Sequence, residues 1–190
     1  GGSIEFLGCA LFDGDRMMGT LTADETRAVI ALKGSLSRAL FSLKDPLHPD
    51  RFVVLEVHQS RNPTVNTDTS GEAPKVYCKV YLEGNIYSIQ SREHYETAER
   101  KKILEDAFTA WFKPLMDRTI RLCRDEYKAD VFNFGSHAVW NFPTIQQWED
   151  YNWIEQFTRA EVTTDLEFEI RRSGLQMESS PVISVERGKE

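Results

Sequence analysis

Where the longest helical pattern in this chain stops, the stretch Lys128-Ala129-Asp130-Val131-Phe132-Asn133-Phe134-Gly135 takes over. Two phenylalanines alternate with Asn133, which tolerates positive φ, and Gly135, which adopts it freely. A run of this kind ends a helix, turns tightly and plants aromatic rings in a core. Asp130, its one carboxylate, is expected to cap the connector, with Gly135 as the backbone pivot. The stretch holds no nucleophile and no metal-ligand spacing. It constrains the fold, not the chemistry.

The helical pattern it ends runs from about Glu93 to Lys128. Leu104, Phe108, Trp111, Leu115 and Leu122, flanked by Phe112, Met116 and Cys123, make a wide apolar stripe. Pro114 removes a backbone donor inside that stripe and predicts a kink or break near residues 110–114. After Gly135 the chain is irregular and aromatic, through Trp140, Phe142-Pro143, Trp148, Tyr151, Trp153 and Phe157. Two short helices, near 144–151 and 152–157, fit it best. The clearest strand comes last: Val162, Leu166, Phe168 and Ile170 face one way, and the charged and polar residues from Glu161 to Arg171 face the other. Burying those four apolar side chains contributes on the order of 6–10 kcal/mol before conformational entropy is charged.

Upstream, Asp13-Gly14-Asp15 between two apolar runs predicts a hairpin. Thr22-Ala23-Asp24-Glu25 is a capping box for a helix that reaches about Lys33 and stops at Gly34. Ser35–Leu43 predicts a short strand and Phe52–His58 a better one, rich in β-branched residues. The polar segment from Ser60 to Lys75, with Pro63, Gly71 and Pro74, predicts a long mobile loop. Val76, Cys78, Val80 and Leu82 alternate as a strand, Gly84-Asn85 predicts a turn, and Ile86–Ile89 returns or continues it. The sum is one α+β domain: a mostly antiparallel sheet packed against one long helix, with a short helical aromatic segment near the C-terminal end. Residues 1–5 read as a cloning scar or linker, 6–175 as the domain, and 176–190 as a flexible tail.

A formal charge of −7 and a pI near 5.2 argue against nucleic acid and against electrostatic docking to anionic lipid. No apolar run approaches a bilayer span, and no basic-then-apolar signal opens the chain. Cys9, Cys78 and Cys123 are far apart and sit among apolar residues, which favours free thiols over a metal or disulfide role.

Each candidate for chemistry has a plainer reading. Asp68-Thr69-Ser70-Gly71 invites comparison with the Asp-Thr-Gly loop of aspartic proteases, but no apolar strand precedes it and a turn fits better. Gly135-Ser136-His137 lacks the Gly-x-Ser-x-Gly elbow and reads as a helix start. His48, His58, His94 and His137 have no metal-ligand spacing. Glu149-Asp150 and Glu155 beside Trp148 and Trp153 suggest a sugar site less readily than a satellite core. No catalytic, cofactor or metal residue is assigned. A ligand or partner surface is placed at Trp140, Trp148 and Trp153, which would suit a module binding a small molecule such as a sugar, or a glycan-directed hydrolase.

The order of motifs resembles the C-terminal domain of the Ger(x)C family, the C subunits of spore nutrient-germinant receptors. Gly8-Cys9-Ala10-Leu11-Phe12, Met18-Gly19-Thr20-Leu21-Thr22 and Glu25-Thr26-Arg27 are similar to the family's opening. Ala129 to Gly135 resembles its Asp-Ile/Val-Phe-Gly-Phe-Gly signature, with Asn133 where glycine is usual. Pro143, Trp148, Trp153, Phe157 and Ile170-Arg171-Arg172-Ser173-Gly174-Leu175 follow in the family's order, so the likeness covers about residues 6–175. It makes Asp130, Phe132, Asn133, Phe134, Gly135, Pro143, Trp148, Trp153 and Gly174 the fold signature. The resemblance implies a non-enzymatic receptor subunit on the extracytoplasmic side of the spore inner membrane, partnered by integral-membrane A and B subunits. It also implies a lipid anchor on an N-terminal cysteine. Cys9, inside a strand of a late domain, is not that residue, so the chain is expected to be a fragment.

Overall fold

The structure is a computed structural model describing residues 8–91 and 93–172; the expectations for the first five residues, for Gly174 and for the tail fall outside them. Strands β1 (Gly8–Asp13) and β2 (Arg16–Thr22) form the expected hairpin, turned at Gly14, whose φ of 61° suits a residue without a Cβ. Thr22 then caps α1 (Ala23–Leu32). Its hydroxyl accepts from the Glu25 amide at 3.3 Å, and the Glu25 carboxylate accepts from the Thr22 amide at 2.9 Å.

Strands β3 (Ala39–Lys44), β4 (Phe52–Asp68), β5 (Lys75–Ile89) and β6 (Glu161–Arg172) make a four-stranded sheet in the order β3-β4-β5-β6. The first two pairings are antiparallel; β5 and β6 run parallel, because the chain crosses over through its helices between them. The long helix α2 (Ala98–Arg121) lies across one sheet face from β3 to β6. Its Phe108 ring is 5.5 Å from that of Phe41 on β3 and 4.2 Å from that of Phe168 on β6, centroid to centroid. Two polar ties fix the helix on β6. Glu105 accepts from the Ile170 amide at 2.8 Å, and the Thr164 hydroxyl donates to Asp117.

Three expectations fail for reasons of environment. Helix α2 passes through Pro114 unbroken, because Pro114 and Ala110, whose carbonyl loses its partner, both face water. Irregularity comes later, as a π turn at Leu122–Glu126. The polar segment 60–75 is not a mobile loop: β4 continues to Asp68 and β5 begins at Lys75. Pro63 is tolerated there because the register shifts between Arg61 and Thr64, so no ladder donor is required of it. Nor does Gly84-Asn85 turn the chain, since β5 runs on to Ile89. A Cβ on Gly84 would stand 2.7 Å from the Phe168 ring; the glycine makes room for an aromatic side chain.

Candidate functional site

The π turn ends with Tyr127 bonding back to Leu122 and Ala129 bonding back to Cys123, and Lys128 reverses the chain at φ 51°. The connector that follows is wound around one carboxylate. Asp130 Oδ1 accepts from the amides of Phe132 and Phe134, both at 3.2 Å. Its Oδ2 accepts from the Gly135 amide at 2.7 Å and from the indole Nε1 of Trp153 at 2.8 Å. Asn133 takes the left-handed conformation at φ 68°, which lets Phe132 and Phe134 stack at 5.3 Å in the core.

Gly135 differs from its expected role as a pivot. It opens the short helix α3 (Gly135–Ala138) with no positive φ, and a Cβ there would lie 2.7 Å from the Trp153 ring. Ser136 is the second residue of that helix, hydroxyl donating to the Asn133 carbonyl at 2.8 Å, so Ser136 and the exposed His137 form no catalytic pair.

From Trp153 a chain of rings runs outward. Trp148 lies 6.0 Å from Trp153 and 5.5 Å from Phe142, and Tyr151 closes on Phe142 at 4.9 Å. These rings come from α4 (Ile145–Tyr151), α5 (Trp153–Phe157) and the segment before them. Asn152, at φ 52°, makes the corner between the two helices. Burial raises the Tyr151 phenol above its ordinary value, Arg159 pulls against that, and the nearby Asp68 carboxylate adds to it.

The three tryptophans expected to share a surface do not. Trp153 is 6% exposed, tied to Asp130, and Trp148 is half-buried between Phe142 and Trp153. Trp140 stands alone, 87% exposed on the 3₁₀ turn Val139–Asn141. Its neighbour Asn141 fixes that turn to β4, donating to the Thr67 carbonyl at 3.0 Å and hydroxyl oxygen at 3.1 Å. Beside this anchor, a shallow groove of about 320 Å³ crosses the ends of β4, β5 and β6, lined by residues including Asp68, Tyr77 and Glu161.

Other candidates are dispersed. Glu149, Asp150 and Glu155 are exposed, the last two bonded to Gln146 and Asn152. Ser70 folds back onto Asp68 in an ordinary turn, its hydroxyl donating at 2.6 Å and its amide at 3.0 Å, and the two bonds hold the carboxyl below its usual value. His48 meets Glu93 at 3.0 Å and His58 meets Glu83 at 3.9 Å. Among the described residues no three His, Cys, Asp or Glu side chains are grouped to hold a metal ion. Cys78 and Cys123 are buried free thiols, both pushed up to about 12, chiefly by burial; Cys9 is half-buried.

Sequence reasoning missed one hub. Asp45, in the connection between β3 and β4, is wholly buried. Its carboxylate accepts from the Leu47 amide at 2.9 Å and the His48 amide at 3.2 Å, and from the hydroxyls of Ser91 and Tyr95. The Asp-Pro-Leu-His spacing signals the two local bonds. Nothing local signals partners more than forty residues away.

No curated protein matches the chain. A solved structure, described as "Crystal Structure of the GerBC protein", shares the fold at a TM-score of 0.69 and 17% identity, covering 83% of this chain and 48% of that one. The chain therefore spans about half the length of that protein. Among the described residues no helix is long and apolar enough to cross a membrane. The family described as "Spore germination B3/GerAC like, C-terminal" matches residues 7–174, nearly the whole domain. The chain belongs to that family, as a domain of the GerAC-like C-terminal type.

Proposed function

We propose that this domain is part of a non-enzymatic C subunit of a spore germinant receptor, and that it helps assemble the receptor or hold it in place. The observation that carries this reading is the family match over residues 7–174. The geometry supports it. The aromatic segment is rigidly seated on the sheet through Asp130 and Asn141 and spends its polar groups on internal bonds, as suits a platform for other proteins. In this reading the partners are the integral-membrane A and B subunits, and the location is the extracytoplasmic face of the spore inner membrane. A lipid anchor on a part of the protein outside this chain would hold it there.

The test uses the full-length protein in its spore-forming host. Spores whose C subunit lacks residues 7–174 are expected to lose optical density slowly in nutrient, and the A and B subunits are expected to stop co-purifying with the truncated protein. Normal nutrient response together with intact co-purification would sink the reading.

A further inference from the structure

The face of the sheet turned away from α2 changes character from one side to the other. Over β5 and β6 it is charged and paired: Lys79 lies 2.9 Å from Glu167, Arg171 2.8 Å from Glu83, and Arg61 3.6 Å from Glu167. Toward β3 the register gathers apolar side chains. Lys44 stands opposite Phe52, Ser42 opposite Val54, and Val54 opposite Ser88, so these residues share a face with Leu40, two residues before Ser42. Tyr87 is the extra residue of a bulge. Ile86 pairs with Leu55 on the buried side and Ser88 pairs with Val54, which leaves Tyr87 on the exposed side beside Val54. In this corner Leu40 is 46% exposed, Phe52 39% and Tyr87 64%.

Two observations say what covers it. The first is where the chain leaves the sheet. Strand β6 follows β5 in parallel as far as Arg172 opposite Asn85, while β5 runs on to Ile89. The chain beyond Arg172 therefore starts two β5 residues short of Tyr87, within roughly 10 Å of it at ordinary strand spacings. Farther along, Val182-Ile183-Ser184-Val185 is an apolar, β-branched run between Ser179-Ser180-Pro181 and Glu186-Arg187-Gly188. The linker from Arg172 to Val182 can span about 33 Å when extended. Leu40 on β3 lies three strand spacings of about 4.8 Å from β6, well within that reach.

The second observation is size. The exposed parts of Leu40, Phe52, Val54 and Tyr87 amount to on the order of 300 Å², against about 800 Å² on each partner of a standard interface. A separate protein gains too little from such a corner. A segment of the same chain needs less, because its linker holds it at an effective concentration on the order of millimolar.

We propose that Val182-Ile183-Ser184-Val185 docks on the corner formed by Leu40, Phe52, Val54 and Tyr87, as a strap that closes the apolar side of the sheet face. The strap stands independently of the germination reading, because it rests on strand register, chain path and exposed area.

The test is nitration by tetranitromethane, followed tyrosine by tyrosine by mass spectrometry on the 190-residue chain. The docked strap shields Tyr87 and leaves Tyr77, 38% exposed at the other end of β5, as the internal reference. Val182→Asp combined with Ile183→Asp and Val185→Asp is expected to speed nitration of Tyr87 about fivefold and leave Tyr77 unchanged. Leu40→Asp, on the opposite side of the contact and outside the core, should do the same. Equal Tyr87 rates in the triple variant and wild type overturn the proposal, and so does a Leu40→Asp variant that nitrates like wild type. A Tyr87 rate that rises on dilution, with a concentration-dependent dimer in sedimentation, assigns the corner to a second copy of the chain and overturns it too.

Discussion

Gly135 lies directly against the indole of Trp153: a Cβ built on it would be 2.7 Å from both Cδ1 and Nε1 of the ring. The ring has little freedom to retreat, being buried, bonded to Asp130 and packed on Trp148. Gly135→Ala is therefore expected to cost about 1–3 kcal/mol, as overpacked cores do. Urea unfolding checks this. Gly135→Ala combined with Trp153→Phe should lose less than the sum of the two single changes, since the smaller ring relieves the clash. Strict additivity would show that the contact does not matter.

Asp130 sets a sharper test, because both of its oxygens are acceptors facing donors. Asp130→Asn keeps the shape yet must turn its amide nitrogen either toward Phe132 and Phe134 or toward Gly135 and Trp153. Neither orientation satisfies the connector. The substitution is expected to cost about 2 kcal/mol or more, with loss of the near-ultraviolet circular dichroism of the ordered Trp153. Unchanged stability would mean the carboxylate is dispensable.

Much of this architecture was legible in local chemistry. The capping box at Thr22, the hairpin at Asp13-Gly14-Asp15, the stripe of α2 and the alternation of β6 each state their structure within a few residues. The failures share a cause. Backbone freedom is the property of Gly84 and Gly135 visible in sequence, yet each is needed for space against an aromatic ring. Phe168 lies far along the chain from Gly84, and Trp153 reaches Gly135 only once α4 and α5 are folded. The same distance hid Ser91 and Tyr95 from Asp45. It also hid which of the tryptophans would stay outside, because Trp140, Trp148 and Trp153 carry equal signals until Asp130 claims one and Asn141 holds another clear.

Tyr95, 1% exposed, donates its hydroxyl to Asp45. Burial pushes the Asp45 carboxyl up, but the bonds from Ser91, Tyr95, Leu47 and His48 outweigh it and leave the group below its ordinary 3.8. A folded-state value depressed in this way gives stability that is present above the ordinary value and is lost as pH falls through the folded one. Tyr95→Phe should therefore cost about 1.5–3 kcal/mol at neutral pH, as a hydrogen bond to a charged group does. The cost should shrink once Asp45 is protonated. Urea unfolding at pH 7 and below pH 3 compares the two, and a cost independent of pH would refute the charged bond.

Tyr127 leaves the π turn with its ring over Gly19 and its hydroxyl donating to the Thr20 carbonyl at 2.9 Å, so it clamps the β1–β2 hairpin to the end of the long helix. A Cβ on Gly19 would stand 2.2 Å from the ring, and the hydroxyl bond limits where that ring can go. The hairpin forms its own two-stranded sheet outside the main one, so releasing the clamp should open it locally and leave the four-stranded sheet intact. Gly19→Ala is expected to raise amide exchange in residues 8–22 by about tenfold or more, while amides of β4 and β5 keep their protection. Tyr127→Phe, which keeps the ring and removes only the bond to Thr20, should give a smaller increase over the same residues. Exchange that rises throughout the domain, or nowhere, would show that the hairpin is held by something other than this contact.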